Sequence, residues 1–167
     1  MCDFEIDVAN LDETALVTPD PVETAERIAL AKAVAVSARN PQKLVIGGDT
    51  VVVLGDEQFG KPGSHSEAVH MLMTLSSRQH RVISAVALVW PDGRHVFSDT
   101  ANVTFRALSL EEVNAYVVSG EPMDKAGGYA IQGGAAGFVS RLEGEIDTVI
   151  GLPVAMLAAA LADLHLP

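Results

Sequence analysis

Asp49 stands in "VIGGDTVVV", residues 45–53, a run of β-branched residues interrupted by Gly47 and Gly48 and followed at once by Thr50. Taking an unpaired carboxylate out of water costs on the order of several kcal/mol, so Asp49 must be ion-paired, ligate a metal, or stand where a strand opens into a cleft. A turn aspartate salt-bridged to an arginine is the plainer alternative, and the valines on both sides argue against a simple surface turn. Two glycines let the backbone bend and a ligand approach closely. Thr50 projects to the face opposite Asp49 if the strand is regular, and into the same cleft if it bulges.

Lys32 is the one charged residue in "IALAKAVAV", a segment otherwise apolar all round, and is either a snorkelling side chain or a functional cation. Lys61 sits in "FGKPG", where two glycines and a proline fix a short loop around an ammonium, a shape that suits a phosphate and also an ordinary exposed turn. "GGYAIQGGAAG", residues 127–137, is a plain glycine-rich loop or an anion wrap that presents Gln132. A glutamine offers a donor and an acceptor side by side, matching the imide edge of uracil or thymine. Glu13 in "LDET" and Arg106 at the end of "VTFR" complete the candidates; a loop glutamate is usually solvated and a strand-end arginine usually pairs locally.

Several chemistries are excluded. G-x-S-x-G, G-x-x-x-x-G-K-[ST] and a strand-following G-x-G-x-x-G are all missing, and His65, His70, His80, His95 and His165 show no ligand spacing, which disfavours zinc. The single cysteine, Cys2, cannot form an internal disulfide and is read as incidental. A net charge of −11 argues against nucleic acid and anionic membrane as partners, since both require a basic face. A small polyanion can still bind where a divalent cation and a few lysines reverse the field locally. No apolar run of about 18 residues is present, and the acidic start "MCDFEIDVAN" lacks the form of a secretory signal, so a cytoplasmic location is expected.

These residues need elements to hold them, and 167 residues suffice for one domain. "FEIDVA" (4–9) alternates apolar and acidic residues as a half-exposed strand does. Asp20, Pro21 and Glu23 open a helix over about 21–38, ended by Asn40-Pro41. A strand over 43–54 turns at "GDE" into a short excursion, and Ser64 with Glu67 caps a second helix. "RVISAVALVW" and "HVFSDTANVTFR" form a hairpin of central strands around "PDGR"; Ser109 with Glu112 caps a third helix ending at Gly120. "FVSRL" is a strand and "LPVAMLAAALADLH" a closing helix. The order predicts an α/β domain with a mixed, twisted central sheet flanked by helices, because it combines a hairpin with crossover helices.

The ordered set "GGDTVVV", "GKPGSHSEAVHMLMTLS", "VTFRALSLEEVNAYVVSGEPMDKAGGYAIQG" and "VIGLPV" resembles the Maf family of nucleoside triphosphate pyrophosphatases from residue 4 onward. The resemblance implies a Maf/ITPase-like fold and hydrolysis of dTTP and UTP to the monophosphate and pyrophosphate. It implies Asp49 as the catalytic carboxylate, Glu13 as the second acid at a divalent metal (Mg or Mn), and Lys32 and Lys61 as phosphate ligands. Thr50 and Gln132 match positions tied to base selection, and differ from the branch that hydrolyses 7-methyl-GTP. A homodimer is implied; the alternatives are a regulatory role in septum formation and a pyrophosphatase acting on 7-methyl-GTP or other nucleotides. Family members begin with a further strand, an arginine loop and a helix before the segment matching "FEIDVA"; a chain starting at Met1 without them is expected to be weakened in activity.

Overall fold

The computed structural model describes residues 4–164; Cys2 and His165 lie outside them. Helix α1 (Pro21–Ser37) begins as its sequence requires, with the Asp20 carboxylate accepting from the Val22 N–H at 2.9 Å, a cap that contributes about 1 kcal/mol. Its Ala25, Ala29 and Ala33 recur every four residues and are fully buried. Strand β1 (Val45–Leu54) turns at Gly55 into the short β2 (Glu57–Phe59), and α2 (His65–Leu75) follows. Then come the hairpin β3 (Gln79–Trp90) and β4 (Gly93–Phe105), α3 (Leu110–Val118), three 3-10 turns, β5 (Val139–Glu143), α4 (Ile146–Ile150) and α5 (Val154–Asp163).

The five strands form one sheet in the order β2-β1-β3-β4-β5, and every pairing is antiparallel. The α/β domain with flanking helices is as expected, while the mixed sheet is corrected. Helix α2 does link two strands that run the same way, since β2 and β3 are each antiparallel to β1. They do not become neighbours, because β1 lies between them; the crossover adds no parallel pairing.

Strand β3 is buried on both faces. Ile83, Ala85 and Ala87 face α1 together with Val51 and Val53 of β1. Val82 and Val52 face the other way, into the largest core cluster, which holds Leu72 and Leu75 of α2, Phe105 of β4 and Val113 of α3. Leu157 of α5 packs on Val86 and Leu88. Among the described residues no helix is long and apolar enough to cross a membrane.

One local expectation is corrected. Residues 4–9 are not a strand: they run without regular structure and almost wholly exposed, tied down by Lys43 to Glu5 at 2.5 Å and Arg39 to Asp7 at 2.8 Å. Alternation alone does not make a strand where no neighbour offers a ladder. The closing helix expected over 152–165 is present as α5, and before it stands a helix that was not expected, the five-residue α4 ended by Gly151 at φ 118°.

Candidate active site

Helix α1 lies so close to β1 that a Cβ at Gly47 would stand 2.6 Å from the Ala29 carbonyl oxygen and 2.8 Å from the Ala33 nitrogen. Gly47 is thus required by helix packing and not by a ligand, while Gly48 meets only ordinary contacts and lines a cleft. This approach decides what Lys32 does. Its Nζ lies 2.6 Å from Asp49 Oδ1 and 2.9 Å from Glu13 Oε1, so the ammonium sits between two carboxylates. The snorkelling alternative is excluded, since the side chain is only 20% exposed and Asp49 only 11%.

Burial lifts the Asp49 carboxyl above the ordinary carboxylate range, and the Lys32 hydrogen bond and charge offset this only in part. Burial also pulls the Lys32 ammonium down, but Asp49 and then Glu13 outweigh it and hold the lysine above its usual value. The cluster is therefore charged yet under desolvation strain, as functional carboxylates in clefts commonly are.

Strand β2 pairs only with Val52–Leu54, so among the described residues the outer edge of β1 before Val52 carries no strand. There Gly48, Asp49 and Thr50 open onto a cleft of about 320 Å³, lined also by Lys32, Lys61, Asp124, Lys125 and Tyr129. Thr50 stays in a regular strand, opposite Ser84, and reaches the cleft because the edge is open. Lys61 is exposed at the rim, and Glu13 reaches the cluster through Lys32. Gln132 is brought elsewhere: it is exposed on the turn after Tyr129 and is not among the cleft-lining residues.

Arg106 pairs with Glu112 at 2.7 Å and donates to the Gly137 carbonyl, the local role expected of a strand-end arginine. The sequence reasoning missed Asp124 and Lys125, which form an ion pair at 2.5 Å on the cleft wall. Their signal was an adjacent charge pair one residue ahead of Gly127 and Gly128, which both adopt positive φ. A larger open groove of about 860 Å³ lies between α3 and the 3-10 turns, lined by Glu112, Glu121 and Phe138 among others; its acidic wall does not suit a phosphate.

Three lysines facing three carboxylates make the cleft close to neutral in a protein of net charge −11, so it repels an anion less than the acidic surface around it. The arrangement defines an α/β protein equipped to hold a phosphate chain against a buried acid. The chain belongs to the Maf family, whose Maf-like protein model matches residues 1–164. It is 46% identical over 151 residues to a dTTP/UTP pyrophosphatase of Symbiobacterium thermophilum, covering 90% of this chain and 78% of that protein. The dTTP/UTP pyrophosphatases of Aquifex aeolicus (43% identical, 98% of this chain and 86% of the relative) and of a Geobacillus species (44%, 90% and 81%) are similar to it as well.

Proposed function

We propose that the protein hydrolyses nucleoside triphosphates, dTTP and UTP foremost, to the monophosphate and pyrophosphate. The observation that carries this reading is the Lys32 ammonium held between Asp49 and Glu13 at the edge of a cleft rimmed by Lys61 and Lys125. The names of the relatives, all similar along nearly the whole of this chain, support the substrate.

In this reading a water oxygen attacks the α-phosphorus, the bond to the β-phosphate bridge oxygen breaks, and pyrophosphate leaves. Asp49 accepts the water proton: Lys32 engages Oδ1, which leaves Oδ2 for the water, and a carboxyl raised by burial is a better base than an exposed one. Lys61 and Lys125 face the charge that builds on the leaving group.

A divalent cation fits the donor set. Asp49 and Glu13 offer hard oxygens beside the Lys32 ammonium, and Mg²⁺ or Mn²⁺ takes one or two such carboxylates plus substrate phosphate oxygens. When bound, it would neutralise phosphate charge beside these carboxylates.

A homodimer is the assembly proposed, supported by the exposed apolar side chains Ile146, Ile150, Leu152, Val154 and Met156, which follow one another along α4 and α5. Light scattering at twice the chain mass is expected, and a monomer at micromolar concentration would refute it.

The deciding experiment for the activity incubates the protein with UTP or dTTP and Mg²⁺ and follows both products. Equimolar monophosphate and pyrophosphate are expected; orthophosphate with the diphosphate, or no turnover, overturns the reading.

A further inference from the structure

Helix α4 has five residues and no side-chain cap at its start, and a helix that short depends on its surroundings for both shape and place. Its one fully buried side chain is Thr148, a polar residue; Ile146 and Ile150 are exposed and Val149 is half-buried. Two groups of Thr148 are tied to the sheet. The hydroxyl donates to Asp99 Oδ2 on β4, and the backbone carbonyl accepts from the Ser84 hydroxyl on β3 at 2.6 Å. Ser84 and Asp99 stand opposite each other in the β3–β4 ladder, so Thr148 is clamped across two adjacent strands. Thr148 and Ser84 are shut off from water, where the loss of a hydrogen bond costs most.

The clamp holds a wall of the cleft. Directly after Thr148, the residues Val149, Ile150 and Gly151 line it. The end of the helix lies against β1 on both sides of Asp49: a Cβ at Gly48 would stand 3.9 Å from the Gly151 carbonyl oxygen, and one at Gly151 would stand 3.2 Å from Thr50 Oγ1. The cations of the cleft come from elsewhere, Lys32 from α1, Lys61 from the loop after β2 and Lys125 from between two of the 3-10 turns. Helix α4 brings only apolar side chains to the cleft, and these cannot grip a phosphate. Of the two halves of a nucleoside triphosphate, the lysines suit the polyanion and this wall suits the nucleoside.

We infer that Asp99, which is not among the cleft-lining residues, is a positioning residue for nucleoside binding: through Thr148 it holds α4 in place as the wall on which the nucleoside rests. The inference rests on the nucleotide reading above and adds to it a residue 49 positions away from Thr148 in sequence that never touches substrate.

Asp99→Ala removes the acceptor, so α4 loses one of its two ties while the lysines stay where they are. KM for UTP should rise roughly tenfold or more with kcat within about threefold, and inhibition by UMP should weaken in step. Inhibition by pyrophosphate, which meets the lysines and not α4, should stay within about twofold. A general loss of folded protein would weaken both inhibitors or neither, so the split between them is the mark of positioning. Asp99→Asn keeps an oxygen for the Thr148 hydroxyl and should return KM to within about threefold of wild type. Thr148→Val removes the same hydrogen bond from the other side at nearly the same volume, and serves as the second variant if Asp99→Ala does not fold. An unchanged KM, a parallel loss of UMP and pyrophosphate inhibition, an Asp99→Asn variant as impaired as Asp99→Ala, or the failure of both Asp99→Ala and Thr148→Val to fold overturns the inference and leaves the hydrolase reading standing. A wild type that does not hydrolyse UTP or dTTP overturns the nucleotide reading and this inference with it.

Discussion

Lys32 and Asp49 are 17 residues apart in sequence and meet at 2.6 Å because α1 packs on β1 through alanines and a glycine. The pair is a product of backbone proximity: the helix comes near enough for a lysine stem to turn in beneath it. With Glu13 at 2.9 Å on the other side, Lys32 is the only cation in direct contact with Asp49 among the described residues.

Asp49→Asn keeps the shape and removes the charge. Hydrolysis of UTP should fall by about 10²- to 10⁴-fold, the range for loss of a general base. Stability should hold, because the carboxyl is raised by burial and its replacement ends a desolvation cost while Lys32 keeps Glu13. Steady-state pyrophosphate release and a thermal melt check both; activity within tenfold of wild type refutes the base assignment.

Lys32→Met strands two carboxylates side by side in a half-buried site. Removing one partner of a pair of this kind destabilises the fold, here by about 1–3 kcal/mol, less than for a fully buried pair because Glu13 remains solvent-accessible. The double variant Lys32→Met/Asp49→Asn should recover much of the loss, since no buried charge is then left uncompensated. Urea midpoints of the three variants test this, and simple additivity would show that the two residues are not coupled.

How much of this was legible in the sequence depends on whether a local rule had a tertiary competitor. Ser109 and Glu112 form the full reciprocal capping box, because both partners lie within one turn. Ser64 caps α2 likewise, but Glu67 reaches one residue further back, to the Gly63 N–H at 2.8 Å. Asp49 and Lys32 were marked as charges among apolar neighbours, Lys61 by its Gly-Pro loop and Thr50 by its place beside Asp49, and all four line the cleft. Gln132 was marked by its hydrogen-bonding pattern and by the family resemblance, and it is exposed on a turn and not among the cleft-lining residues. Alternation at Phe4, Ile6 and Val8 found no partner strand, and the direction of strand pairing, which depends on which strand lies between which, was not written in any local signal.

Gly47→Ala should separate helix packing from catalysis. Its Cβ would meet the α1 backbone at 2.6 and 2.8 Å, so the helix must move or the protein must bear the overlap, a cost of about 1–3 kcal/mol or more. Because Lys32 rides on the same helix, kcat should fall together with the urea midpoint. Gly48→Ala has ordinary contacts and should leave stability nearly unchanged, which makes it the control.

Lys61→Ala and Lys125→Ala remove an exposed and a half-buried cation from the cleft rim. Each should lower kcat/KM for UTP by roughly tenfold or more, the scale of losing one charge-stabilising group, and the effect should shrink at high salt because the rim is solvated. Melting temperatures should stay near wild type, since an exposed pair such as Lys125–Asp124 contributes little to stability. An effect confined to Lys61 would remove Lys125 from the site.

His80 predicts an acid-sensitive window of stability. The ring is buried against Phe105, with Nε2 2.8 Å from the Tyr129 hydroxyl, and burial pushes its pKa from 6.5 down to about 4. Between those values the unfolded chain takes up a proton that the folded protein refuses, so stability rises with pH across the window and is lost as pH falls from about 6.5 toward 4. The difference amounts to about 3–4 kcal/mol at most, taking roughly 1.4 kcal/mol per pKa unit. Urea unfolding at several pH values should show this slope for the wild type and a flatter one for His80→Leu. Other groups titrate in both proteins, so the comparison isolates the imidazole; equal slopes in the two would mean that His80 is protonated in the folded state as readily as in the unfolded chain.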